Sequence, residues 1–160
     1  MPFVISGLLW FSAIGCGLLA GVYFAFSTFI MTALGRIDQA HGVSAMSAIN
    51  STILHSLFMP LFFGTTLASL VLAVMTLFRW SAPGATAMLA GGLIYVAGML
   101  LCTMFFNVPL NNALAAVDPA STEAASVWAR YLNDWTRWNH VRTIASTAAC
   151  ALYIPALAAK

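Results

Sequence analysis

From Met1 to Gly35 the chain carries no charged side chain, and a run of that kind has few fates. In a bilayer it forms a helix, which satisfies its own backbone groups where no water can do so. Crossing the hydrocarbon takes about 20 apolar residues at roughly 1.5 Å each, and this stretch exceeds that. It is too long for the apolar part of a secretory signal and lacks the basic start of one. It therefore reads as a retained helix whose end is marked by Arg36.

Three further stretches pass the same test, giving Val4 to Leu34, Ile49 to Phe78, Ala85 to Leu114 and Trp138 to Ala159. Strands are excluded, because no alternation of polar and apolar residues over roughly ten positions recurs. Gly35 and Gly42 flank the first polar loop, Pro83-Gly84 marks the second and Asp118-Pro119 the third. Ser121 or Thr122 can cap the last helix and Glu123 suits its first turn, so that helix begins before the membrane. The expected fold is all-α: an integral membrane four-helix bundle whose last helix extends beyond the bilayer. It forms one domain over residues 1–160, with helices at approximately 4–34, 49–78, 85–114 and 122–159.

An apolar share of 62% against 6% charged is far from the proportions of soluble proteins, and the lipid bilayer is the first partner. A net charge of +2 cannot neutralise a run of phosphates, which excludes nucleic acid. Cys16, Cys102 and Cys150 form no C-x-x-C pair, which argues against thiol chemistry. Small residues recur every fourth position at Ala13, Gly17, Gly21 and Ala25, and every seventh at Gly84, Gly91 and Gly98. Both rows invite close helix contact, within the monomer first and between copies of a homo-oligomer second.

Four spans put the termini and the Arg79 loop on one side. Arg36, Arg130, Arg137 and Arg142 fall on the other, against Arg79 and Lys160. The excess tilts the polar side towards the cytoplasm. On that side the last helix carries Trp128, Tyr131, Trp135, Trp138, Asn139 and Arg142 at spacings of three or four, on one face. Arg130, Asp134 and Arg137 fall on another, as a solvated charge ladder. Aromatic rings gather at membrane interfaces in any case, but an amide and a guanidinium near hydrocarbon must find partners. Asn107 and Asn111 sit four residues apart in the third helix, and Pro109 between them, lacking an N–H, is expected to bend or end it. Asn50 and His55 start the second helix at this face, and Ser27, Thr28 and Met31 end the first. All four helices thus contribute to one polar mouth.

His41 lies in a loop, whereas His55 and His140 are near enough to the mouth to take a proton at neutral pH. No H-x-x-x-H or E-x-x-H spacing is present, so no metal is expected. No other cofactor is expected either, although a haem held through one histidine stays open.

Four strings resemble the anthrone oxygenase-like family of small bacterial membrane proteins: Gly21 to Met31 (GVYFAFSTFIM), Ala45 to Asn50 (AMSAIN), Asn107 to Asn111 (NVPLN) and Trp135 to Arg142 (WTRWNHVR). They occur in the family's order across nearly the whole chain. The resemblance implies a four-helix protein of a bacterial cell membrane. Some relatives oxidise anthrones to anthraquinones without a known organic cofactor. Asn50, Asn107, Pro109, Asn111, Trp138, Asn139 and Arg142 match the family's characteristic positions; proline often stands where this chain has His55, while His140 fits the pattern.

The functional expectation is an oxygenase for a flat aromatic or phenolic substrate arriving from lipid. His140 would be the base, Asn107, Asn111 and Asn139 would steady the developing oxyanion, and Arg142 would supply positive charge. Asn50, His55, Trp135 and Trp138 would bind the ring. Two other readings stay open: a non-catalytic holder of a quinone, lipid or haem, and a structural or assembly subunit.

Overall fold

A computed structural model describes residues 2–159. Lys160, one of the charges in the sidedness argument, lies outside the described residues, as does Met1. The helices are α1 (Phe3–Leu34), α2 (Gln39–Ile53), α3 (Phe58–Leu77), α4 (Ala85–Ala115) and α5 (Thr122–Ala158). All but α2 are long and apolar enough to cross a membrane, and no strand occurs among the described residues. The protein is a multi-pass membrane protein of four spanning helices.

The second segment differs from the single helix expected over 49–78. It is two helices with a break between Ile53 and Phe58. The Asp38 carboxylate accepts from the backbone N–H of Ala40 at 3.0 Å and of His41 at 3.4 Å, so a new helix starts ten residues before Ile49. Ser56 then ends it and starts the next: its hydroxyl donates to the Ile53 carbonyl at 2.8 Å and accepts from the Phe58 N–H at 3.2 Å. A polar side chain competing for backbone groups breaks the helix at this point. Apolar content alone could not reveal that.

Pro109 does not end its helix either, since α4 runs on to Ala115. The residues just before it, Thr103–Asn107, are wound with i→i+5 hydrogen bonds. This wider turn gives the ring room where it would otherwise press on the Phe105 carbonyl. Beyond it Pro109 falls in the first turn of a fresh α segment, where a missing N–H costs little.

The row of glycines on α4 is the seat of α5. A Cβ at Gly84 would meet the Ala156 backbone at 3.0 Å, and one at Gly91 would meet the Tyr153 ring at 2.9 Å. At Gly98 it would collide with the Ala145 Cβ. Gly84 also has φ of 75°, a conformation that suits glycine. The row on α1 is only half used: Ala13 is buried, but nothing lies within 4 Å of a Cβ at Gly21. The inward face of α1 runs instead through Ser12, Ala13, Cys16, Leu19 and Tyr23.

Two apolar cores result. One, inside the spans, gathers Leu9, Leu19, Leu72, Tyr95, Met99 and Tyr153; the other joins α2 to the projecting ends of α4 and α5 through Val43, Met46, Leu114, Trp128 and Tyr131. Leu18, Phe63, Leu67, Leu93 and Ile144 face outward, a surface suited to lipid tails. Tyr23 meets Phe58 edge-on at 6.0 Å, which places the boundary between the cores level with the first turn of α3.

Packing in lipid depends on close approach rather than on expelling water, so this seat can be tested. Gly98→Val must push α5 away and is expected to cost about 1–3 kcal/mol of stability. Gly21→Ala should stay within about 0.5 kcal/mol. Unfolding midpoints in mixed micelles read both, and equal midpoints for the two variants would remove the glycine row from the account.

Candidate functional site

At the boundary between the two cores, α5 is tied to α1 by one amide. Asn139 is fully buried and donates Nδ2 to the Tyr23 carbonyl at 2.7 Å and to Ser27 Oγ at 2.8 Å. Thr143 Oγ1 donates to the Asn139 carbonyl at 2.9 Å and lies 3.0 Å from Ser27 Oγ, so the Ser27 hydroxyl gives its hydrogen to Thr143 and closes the loop. Every donor in that loop has an acceptor.

Asn139 Oδ1 is left to accept from Arg142 Nη2, at 2.7 Å. Arg142 is 5% exposed and has no acidic partner among the described residues, where the ion pairs are His41–Asp38 and Arg130–Asp134. Its guanidinium carbon lies 4.4 Å from the centre of the Tyr23 ring and 4.9 Å from that of Trp135, and these π faces supply part of the compensation. Arg142 Nε and Trp135 Nε1 are both buried without a hydrogen-bond partner.

The other amides lie close by. Asn107, 1% exposed, donates to the Trp135 carbonyl at 3.2 Å, and Cys102 Sγ sits 3.6 Å from the Trp138 carbonyl and 3.9 Å from Asn107 Oδ1. On the far side of Trp135, the Tyr131 hydroxyl donates to Asn111 Oδ1 at 2.7 Å and accepts from Asn50 Nδ2 at 3.2 Å. Trp128, Tyr131 and Trp135 stack at 5.8 and 5.7 Å. Arg142 is thus the far end of a column of rings.

A groove of about 300 Å³ opens beside this column between α4 and α5. Phe105, Phe106, Pro109, Leu110, Tyr131 and Trp138 wall it, and Arg130 and Asp134 supply its charges. Trp138 lies flat on Phe106 at 3.7 Å, with 9° between the planes. Arg130 Nε and the Asp134 carboxylate are 3.4 Å apart.

The structure therefore gathers Asn107, Trp135, Asn139 and Arg142 in one cluster, links Asn50 and Asn111 through Tyr131, and puts Trp138 in the groove. It does not bring the histidines to them. His55 is exposed in the turn between α2 and α3, and His140 is exposed on the face of α5 away from Asn139 and Arg142. One residue of helix turns a side chain by about 100°, which is why His140 points out while its neighbour Asn139 points in.

Sequence reasoning put Tyr131 on the aromatic face without giving it a role, missed Tyr23 and Cys102 as site residues and read Asp134 as a solvated charge. A spacing of four between Tyr23 and Ser27 was the available signal on α1. It also missed the winding. Turns of i→i+5 type occur at Phe26–Ile30, Val96–Leu101, Thr103–Asn107 and Tyr131–Trp135, all on the three helices that build the cluster. Such turns are frequent at functional sites.

The family model for anthrone oxygenase matches residues 51–152, more than half of the chain. The match includes Asn107, Asn111, Asp134, Trp138, Asn139 and Arg142, and leaves Tyr23, Ser27 and Asn50 before its start. Searches of curated proteins and of solved structures return no match.

Asn139→Ala removes the tie between α1 and α5 and leaves a buried guanidinium without its acceptor, an expected loss of about 2–4 kcal/mol. Asn50→Ala, at the half-buried rim, should cost about 1 kcal/mol or less. Denaturation in mixed micelles orders the two, and an Asn139 variant as stable as the Asn50 one would show that the loop carries little of the fold.

Proposed function

The chain belongs to the anthrone oxygenase family, and on that footing we propose that it oxidises a flat aromatic or phenolic ketone with dioxygen inside the membrane. The observation that carries the reading is the groove: its walls are largely aromatic and apolar, and the carboxylate of Asp134 lies among them. The substrate slides between α4 and α5 from the lipid, and Phe106, Tyr131 and Trp138 hold its ring.

A methylene activated by a carbonyl gives its proton to Asp134, and the electron pair spreads into the carbonyl oxygen. The carbanion forms a C–O bond with dioxygen, and the peroxide takes a proton back. Loss of the remaining C–H proton breaks the O–O bond and releases water, so that one methylene and one dioxygen become one ketone carbonyl and one water. Atoms and electrons balance without a further oxidant or reductant. Asp134 takes the part first expected of His140, because it faces the groove and His140 does not.

The expected oxyanion donors also change. Both Nδ2 hydrogens of Asn139 are taken up by Tyr23 and Ser27, Asn107 gives one to Trp135, and Asn111 Oδ1 receives Tyr131. These amides set the wall of the site rather than touch the substrate. The proposed sidedness is the one that the excess of Arg36, Arg130 and Arg137 favours, with α2 and the projecting ends of α4 and α5 on the cytoplasmic side of a bacterial inner membrane.

Purified protein incubated with anthrone and air should consume oxygen and form anthraquinone above the spontaneous rate, followed by quinone absorbance. Asp134→Asn is expected to lower kcat/KM at least about tenfold and His140→Ala much less. Tight quinone binding without turnover would replace the oxygenase by a ligand carrier, and a larger loss in the histidine variant would return the base to His140.

A further inference from the structure

Arg142 is a buried charge with no acidic partner among the described residues. A buried guanidinium normally sits against a carboxylate, because the cost of taking the charge out of water is otherwise only partly recovered. Here one amide oxygen, two rings and the nearby Tyr23 hydroxyl stand in for the acid. What is missing can be named from the atoms left over. Arg142 Nε and Trp135 Nε1 are both donors, both buried, and both without a partner, with the guanidinium carbon 4.9 Å from the Trp135 ring. Two donors and a positive charge lack an acceptor.

Taking the aromatic-ligand reading of the groove as its basis, we infer that Arg142 and Trp135 form the inner end of a site for a negatively charged oxygen carried on that aromatic ligand. The Tyr23 and Trp135 rings pack against the guanidinium and Asn139 takes Nη2, so the oxygen approaches at Nε. Charge-assisted hydrogen bonds of this kind are the strong ones, and the guanidinium edge fits a planar oxyanion. The groove is one ring away: Tyr131 lines it and stacks on Trp135 at 5.7 Å. A ligand whose ring lies against Tyr131 reaches Arg142 when Trp135 tilts. The ligand is accordingly bound as an enolate, phenolate or carboxylate, in preference to its neutral form.

The probes are anthraquinone-2-carboxylate and its methyl ester, which share the ring system and differ in charge. Binding is followed by quenching of tryptophan fluorescence in detergent, with no turnover involved. Wild-type protein should bind the carboxylate at least tenfold more tightly than the ester. Arg142→Gln keeps a donor for Asn139 and should abolish that preference, Arg142→Lys should keep part of it, and Arg130→Gln should leave it in place.

Equal affinities in the wild-type protein would overturn the inference even if no Arg142 variant folds. So would a preference that survives Arg142→Gln, or one that Arg130→Gln removes, since the anion would then sit at the groove's rim. The oxygenase reading fails separately: a carboxylate preference without oxygen uptake keeps the anion site and loses the enzyme, and turnover without preference does the reverse.

Discussion

The structure turns on a positive charge held between helices with no acid beside it. Arg142 is reached by α1 through the Tyr23 ring, by its own helix through Asn139 and Trp135, and by nothing acidic among the described residues. A charge so placed needs its surroundings held until another acceptor arrives, because a shift of an ångström or two would otherwise forfeit the hydrogen bond and both ring contacts. That fixity has two sources. Asn139 pins α5 to the backbone of α1, and the glycines of α4 let α5 settle without side chains in between. Each contact is modest in lipid, but they constrain the same helix from two sides.

The wide turns show how the helices meet these demands. An extra residue in a turn rotates everything beyond it and frees a carbonyl from its usual partner. The carbonyl of Tyr23, three residues before the turn Phe26–Ile30, accepts Asn139, and the carbonyl of Trp135, which ends the turn Tyr131–Trp135, accepts Asn107. In a bilayer each such added hydrogen bond joins two helices without the help of water. Asn139 and Asn107 therefore belong as much to the backbone as to any ligand, with both Nδ2 hydrogens of the first and one of the second committed to the fold.

The four spans were legible because hydrocarbon thickness and helix rise leave little freedom: both ends of α1 and α4 and the far end of α5 lie within a residue or so of where apolar content put them, and the capping residues located the start of α5. The glycine row on α4 was legible for the same reason, since close approach requires small residues at fixed spacing. Asn139 and Arg142 were legible as costly residues that had to find partners. The partners themselves were not, because Asn139 bonds to a backbone carbonyl 116 residues away, and a carbonyl has no signature in a sequence. Ser56 hid the break before α3, since serine is common in membrane helices and acts here through two local hydrogen bonds. The histidines were chosen for chemical suitability, which carries no information about helix face, and both lie exposed and apart from the amide cluster. The place of Asp134 in the groove wall was hidden because its i,i+4 partner Arg130 made a complete surface explanation.

Helix length gives the site its depth. α3 has 20 residues, about 30 Å, and so crosses the hydrocarbon with nothing to spare, whereas α1, α4 and α5 have 32, 31 and 37 residues and project beyond it. Above Phe58 the bundle lacks a fourth spanning helix, and α2 covers the gap with Val43 and Met46. The Tyr23–Phe58 contact puts Arg142 at that step. A guanidinium there is dry enough for its charge to act strongly and near enough to the headgroups to be tolerated. For the reaction proposed above, flat aromatic molecules and dioxygen both concentrate in hydrocarbon, so a groove opening between α4 and α5 would meet them from the lipid side. A site deeper in the span could not keep the charge, and one in the water would have to wait for both.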